Sequence, residues 1–301
     1  MHTTIPALHV GQGIHQAGLT LFPVWVDAPR IGSLDWAPQS LTVTEVADGE
    51  GGPRVSGLQA HSTAARPLVA LEGDLLEGGW QNRMLGRSLV LRPGETRDVE
   101  TVCIEEGRWG GGREHGSTGR RGSIVVRFGD EGARHGLADD RQGGVWRRIR
   151  SVEDRLGASE TRSFAQQLDR QSIRPPRLID GQRGVIIGIG GRVMGLELFC
   201  SGTGLRSRWT GIVGAAGVDA RLGNPEPTRA ERARDFARSL EGRRLHGGEG
   251  GAGGAGWFEL ARSHERFDLV GLGARVAGGD ERRGVLHLTA LDRSHPVLAS
   301  V

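Results

Sequence analysis

The stretch 66–109, RPLVALEGDLLEGGWQNRMLGRSLVLRPGETRDVETVCIEEGRW, constrains the fold of this chain more than any other. Three apolar runs (68–71, 88–91 and 99–104) alternate with two segments dense in charged and amide side chains. The wholly apolar run 68–71 reads as a strand covered on both faces. Arg92-Pro93-Gly94-Glu95 is a turn, with Pro fixing φ and Gly supplying a positive φ. It connects a strand over 84–91 to a return strand over 98–106. A period of two puts Val99, Thr101, Cys103 and Glu105 of the return strand on one face. Strands joined in this way bring both polar segments near one edge of a sheet, and chemistry is expected there.

The rest of the chain extends this pattern. Residues 1–18 read as an arm. LTLFPVWV (19–26) is a strand in which Pro23 marks an edge or a bulge. SLTVTEV (40–46) alternates as a strand, 48–53 is a turn, and 55–60 is a weaker strand. The region 110–141, rich in Gly, Arg, His and Asp, reads as a mobile loop or insertion with one apolar island at 124–128. A helix over 142–157 carries the stripe Val145, Ile149, Val152 and Leu156. Ser159 is expected to cap a second helix ending at Leu168. Residues 184–200 (GVIIGIGGRVMGLELFC) invite a dinucleotide-loop reading. The third glycine of that fingerprint is Val193 here and β-like sequence follows, so a hairpin turning at Gly190-Gly191 is the better reading. A helix over 201–220 presents Leu205, Trp209, Ile212, Ala216 and Ala220. Another over 228–240 buries Ala233, Phe236, Ala237 and Leu240 and opens on a Thr228/Glu231 capping box. The stretch 242–256 is a Gly-rich linker, and strands at 267–276 and 283–291 form a last hairpin. The expectation is a single α+β domain over 19–292, an antiparallel β-sandwich-like N-terminal half followed by helices with interposed β-hairpins.

Composition excludes several chemistries. The chain has 301 residues but no lysine and no tyrosine, so all 39 basic residues are Arg. A Schiff-base Lys, a Walker Lys and a Tyr nucleophile are thereby ruled out. The sequence pI of 9.8 overstates the basicity, because the excess over 36 acidic residues is only +3. A nucleic-acid binder usually carries a clustered excess, so nucleic acid is disfavoured as a partner. Neither a signal segment nor an apolar run near 18 residues is present, so no membrane association and a cytoplasmic location are expected. Cys103 and Cys200 form no zinc pattern, and the histidines lack metal-ligand spacing, so no metal site and no cofactor are assigned.

The candidate residues come from the opening stretch. Glu72, Asp74 and Glu77 stand beside Gln81, Asn82 and Arg83, a set suited to a polar ligand, a metal held through oxygen, or a general base. The structural alternative is a hydrogen-bonded loop in which Arg83 pairs a carboxylate. Cys103 shares a face with Glu105 and is a nucleophile only where a cation lowers its pKa; a Cys inside an apolar strand is more often core. Arg108-Trp109 suits an anion beside an aromatic platform, or an Arg stacked on Trp. His287, in VLHLTAL, is either a satisfied buried histidine or a group reaching a site from the far end of the chain.

At these residues the chain resembles the family named for its association with ADP-ribosylglycohydrolases (ARG) and rhodanese-phosphatases. That family carries a pattern similar to G-E-E-L-x-G-x-K-Q-N-R, followed by V-S-C-V-E-x-G-R-W. Gly73, Asp74, Gly78, Gln81, Asn82 and Arg83 match the first part, and Val102, Cys103, Glu105, Gly107, Arg108 and Trp109 the second. Gln142, Val145-Trp146, the hairpin 190–199 and His287 are further echoes. The resemblance runs from about Leu19 to Leu291. Asp74 replaces the usual Glu, Leu75 a second Glu, and Trp80 the usual Lys. The resemblance implies gene company in pathways that use NAD and ADP-ribose, and hence a nucleotide-like or phosphorylated ligand.

Three functional expectations follow. In the first, the chain is an enzyme or ligand-binding domain for a nucleotide- or ADP-ribose-type molecule. Arg83 and Arg108 hold its anionic groups, Gln81 and Asn82 hydrogen-bond it, Trp109 stacks on it and His287 joins the ligand set. Asp74 or Glu105 is the base or metal ligand, and Cys103 the candidate thiol. In the second, the chain is a non-catalytic interaction or homo-oligomerisation module in which the QNR and CxExGRW motifs are structural. In the third, the Arg-rich stretch 113–150 binds RNA with steep salt dependence.

Overall fold

The computed structural model describes residues 2–47, 53–129, 141–248, 256–264, 266–275 and 283–301. The architecture is α+β, and every strand pairing within its sheets is antiparallel.

A ten-stranded sheet runs in the order His2–Thr4, Arg244–Gly248, Trp257–Ser263, Phe267–Arg275, Arg283–Asp292, Arg192–Phe199, Gly184–Ile189, Leu19–Val26 and Leu8–Val10, with Ile14–Gln16 also on Leu19–Val26. A seven-stranded sheet runs Thr96–Val99, Pro53–Ser62, Leu41–Ala47, Glu114–Gly116, Leu75–Gly78, Arg83–Leu85 and Thr101–Cys103. Leu68–Ala70 and Leu89–Leu91 form a separate pair. Among the described residues six α-helices accompany them: α1 (Ile124–Phe128), α2 (Arg141–Leu156), α3 (Phe164–Asp169), α4 (Gly202–Ala220), α5 (Ala230–Leu240) and α6 (Pro296–Ala299).

The sequence explains most of these elements. Val185, Ile187 and Ile189 pack in one apolar cluster while Ile186 packs in another, as a strand covered on both faces requires. Gly190 and Gly191 turn its hairpin at φ 57° and 76°. The α5 stripe Ala233, Phe236, Ala237 and Leu240 is buried against the ten-stranded sheet, and burying Phe236 or Leu240 contributes about 1.5–3 kcal/mol each.

Some local expectations are corrected. The first 18 residues are not an arm: Ile5 and Leu8 are buried, and three short strands join the ten-stranded sheet. Pro23 is not on an edge strand. It sits where the neighbouring strand is interrupted, since Leu8–Val10 pairs with 24–26 and Ile14–Gln16 with 19–21; a residue without an N–H loses nothing there. The 228–231 capping box does not form. Thr228 donates its hydroxyl to Arg192 O, and Arg229 is the residue before α5. Ser159 does not cap α3 either; its hydroxyl donates to Glu153.

Residues 113–128 are built into the structure. Glu114–Gly116 lies between two strands of the seven-stranded sheet, and all five residues of α1 are buried. Of the expected loop, 130–140 lies outside the described residues, as do 48–52 of the expected turn at 48–53, 249–255 of the expected Gly-rich linker and 276–282 between the last two strands. The start of that linker is not a linker: Arg244–Gly248 is a strand paired on both sides in the ten-stranded sheet.

Candidate functional site

The two motif segments meet through Asn82. Its backbone N–H donates to Glu105 Oε2 at 3.0 Å, and its side-chain oxygen accepts from Gly78 N and from Arg108 Nη2. Glu105, 2% exposed, also accepts from Arg108 Nε at 3.0 Å and from the Thr161 hydroxyl at 2.6 Å. Burial alone would raise its pKa, but the bonds from Arg108, Thr161 and Asn82 hold it below the usual carboxylate range. Arg108 spends its remaining donors on the carbonyls of Gly78, Gly79 and Gly110. Those carbonyls are presented because Gly78 and Gly79 take φ of 111° and 54°; a Cβ at Gly79 would lie 2.1 Å from His115 Nε2. Arg108 thus ties the Gly78-Gly79 turn to Glu105. Trp109 beside it is 54% exposed. Gln81 is fully buried, and its amide has no partner among the described residues.

Arg83 and Cys103 lie in a separate buried cluster. An Arg83 N–H donates to Cys103 Sγ, and Arg83 is 3.5 Å from Glu45, which also pairs with His115 Nε2 at 3.0 Å. Burial pushes the Cys103 thiol up to about 11 despite the nearby guanidinium, so it is protonated at neutral pH. Its backbone is clamped by Gln142, which donates to Cys103 O and accepts from Cys103 N.

Asp74 and His287 belong to a third group, a continuous buried ion network. Asp74 Oδ1 accepts from Arg121 at 2.7 Å, and Oδ2 from Arg208 at 2.8 Å and from Leu71 N. Burial disfavours the Asp74 charge, but Arg208 and Arg121 outweigh it and lower the pKa. Arg121 approaches Glu197 at 3.7 Å, and Glu197 pairs with Arg127 at 2.7 Å. His287 Nε2 and the Thr289 hydroxyl meet the other Glu197 oxygen at 2.6 and 3.1 Å. Burial lowers the His287 pKa although Glu197 opposes it. The network ends at Glu72, whose Oε2 accepts twice from Arg127. The other end is Arg208, which donates to Trp36 O at 2.7 Å.

Beyond Trp36 opens a cavity of about 420 Å³. Arg30, Arg66 and Arg206 line it, with one carboxylate, Asp180. Each of the three arginines is exposed and has no acidic partner within 4.0 Å among the described residues. The start of α4 contributes Ser201, Gly202 and Thr203, and Ser201 Oγ caps it by accepting from Gly204 N. The first N–H groups of a helix lack intrahelical acceptors and favour anions. Leu34, Trp36, Leu178 and Ile179 supply an apolar wall.

None of Gln81, Asn82, Arg83, Cys103, Glu105, Arg108 and Trp109 lines this cavity. The sequence reading missed its arginines because 30, 66 and 206 come from three distant segments. The one local signal was SGTG (201–204), a capping serine before small residues at the start of a helix. No group of three or more His, Cys, Asp or Glu placed for a metal occurs among the described residues, and no helix among them is long and apolar enough to cross a membrane.

No curated protein and no solved structure shows a match to this chain. A family model does, over nearly the full length and across both motifs. The chain belongs to the family of the ARG and Rhodanese-Phosphatase-superfamily-associated Protein domain, matched over residues 7–288.

Proposed function

We propose that this chain binds a phosphorylated, nucleotide-like small molecule of the ADP-ribose or NAD type in the cavity above Trp36, and that the QNR and CxExGRW segments brace the fold around it. The observation that carries the reading is the charge of the cavity wall, three guanidiniums against one carboxylate at a helix N-terminus. Guanidinium forks match phosphate oxygens bidentately. A cavity of about 420 Å³ lies in the range of small-molecule sites, and Ile179 and Trp36 offer an apolar face to a base or ribose. The family's association with ARG proteins points to the same ligand class.

Calorimetric titration with ADP-ribose, NAD, ADP and pyrophosphate tests it. At least one is expected to bind, with affinity about tenfold lower in each of Arg30→Ala, Arg66→Ala and Arg206→Ala. These side chains are exposed, so folding is retained. Arg108→Ala is expected to lower stability by about 2–3 kcal/mol, because it strips charged hydrogen bonds from buried Glu105. Absence of binding by all four ligands, or binding indifferent to the three cavity arginines, defeats the reading.

A second reading is a non-catalytic interaction or oligomerisation module. What favours it is that the hydrogen bonds of Glu105 and Arg108 are taken up by each other, by the backbone and by the Thr161 and Asn82 side chains. It expects a concentration-dependent mass in sedimentation and no response to the ligands above.

A further inference from the structure

A second cavity, of about 120 Å³, lies where the ten-stranded sheet approaches the Gly86–Ser88 turn. Glu72 lines it at the far end of the ion network. Its Oε2 is occupied by Arg127, but Oε1 is buried and has no hydrogen-bond partner among the described residues. A carboxylate oxygen in that state is an acceptor left over, and such groups call for a ligand or an ordered donor. Glu259 lines the same cavity, 3.8 Å from Arg87. Arg87 and Arg141 are on the wall as well, tied to Glu100 at 3.3 and 2.8 Å. Ser88 Oγ accepts from Glu72 N, which leaves its own proton to donate. Leu260, Ala261 and Val270 supply an apolar face.

The balance of these groups selects a ligand class. Two carboxylates (Glu72, Glu259) and three guanidiniums (Arg87, Arg127, Arg141) line the cavity, and Glu100, off its wall, pairs Arg87 and Arg141, so the local charges cancel. A metal ion or an amine would meet the guanidiniums. A phosphate or carboxylate would meet the open oxygen of Glu72. A hydroxyl both donates and accepts, and several on one small ring satisfy acceptors and donors together. We infer that this cavity binds a neutral polyhydroxylated ring the size of a monosaccharide, with Glu72 Oε1 accepting from one hydroxyl, Glu259 from a second, and Ser88 and the arginine edges donating to ring oxygens. This site is separate from the anion cavity and stands whether or not that proposal holds.

The test is saturation-transfer NMR and calorimetry on the full chain with D-ribose and D-glucose, and with magnesium, spermidine and inorganic phosphate as class controls. Saturable binding of at least one sugar is expected, weakened about tenfold in Glu72→Gln. Because Glu72 also pairs with Arg127, its substitution is checked by the melting transition. Glu259→Ala, on the rim with its side chain 29% exposed, is the variant that stays folded, and it is expected to weaken the sugar about fivefold. No sugar binding to the wild type, binding unchanged in Glu259→Ala, or competition for the site by magnesium, spermidine or phosphate overturns the inference. The Arg206→Ala variant is expected to bind the sugar as the wild type does.

Discussion

Asp219 sits inside the fold on α4 with no cation bonded to it among the described residues. Its Oδ2 accepts from Val125 N at 3.3 Å, but Oδ1 has no partner there. Burial pushes its pKa up to about 7, against an ordinary value of 3.8. The sign of the consequence follows from proton counting. Between those two values the folded state holds a proton that the unfolded state has released, so stability falls as pH rises through that window and levels off above about 7. The slope contributed by one such group is at most about 1.4 kcal/mol per pH unit. An amide keeps the acceptor for Val125 and carries no titratable proton. Urea denaturation of wild type and Asp219→Asn between pH 4.5 and 8 is therefore expected to show converging stabilities at low pH and a growing advantage for the variant toward neutrality. Parallel curves would mean that Asp219 is not the group responsible.

At the scale of elements, α4 is packed without room to spare. It crosses the backbone of residues 119–120 so closely that a Cβ at Gly211 would lie 2.0 Å from Gly119 O. Neither partner is a flexible side chain, so Gly211→Ala must move the helix or the loop, at about 1–3 kcal/mol in a denaturation midpoint measured at constant m-value; an unchanged midpoint would show that the crossing is looser than drawn. The helix itself was legible in the sequence, since Leu205, Trp209, Ile212, Ala216 and Ala220 form a stripe and all five are buried. The hairpin at Gly190-Gly191 was legible for a similar local reason, two glycines at positive φ between β-like runs. What α4 lies against was not. Periodicity reports which face of an element is apolar, while the partner of Gly211 is a backbone segment some ninety positions away, in a stretch read as a loop. The candidate site divides along the same line. That Glu105, Arg108 and Asn82 meet was readable from strand alternation and turn chemistry within one stretch, whereas the partners of Asp74, which are Arg121 and Arg208, follow from packing alone.

Across the whole molecule, the buried ions join layers that the chain builds separately. Asp74 stands beside the seven-stranded sheet, Arg208 on α4, Arg121 before α1, and Glu197 on the ten-stranded sheet. Buried pairs of this kind are poor sources of net stability, because desolvation cancels much of the attraction, yet breaking one partner leaves an uncompensated charge. The two effects make opposite demands on two variants. Asp74→Asn leaves Arg121 and Arg208 facing a neutral amide and is expected to cost about 3–5 kcal/mol. The triple replacement Asp74→Leu, Arg121→Met, Arg208→Met removes all three charges at roughly constant volume. It strands the Leu71 N–H and carbonyls at Glu72, Trp36 and Val69, but a neutral backbone group without a partner costs less than a buried charge. Glu197 keeps Arg127 and His287. The triple variant is thus expected to be more stable than Asp74→Asn alone in urea at pH 7. The reverse order would mean that these ions hold the layers in register in a way that apolar packing of the same volume does not reproduce.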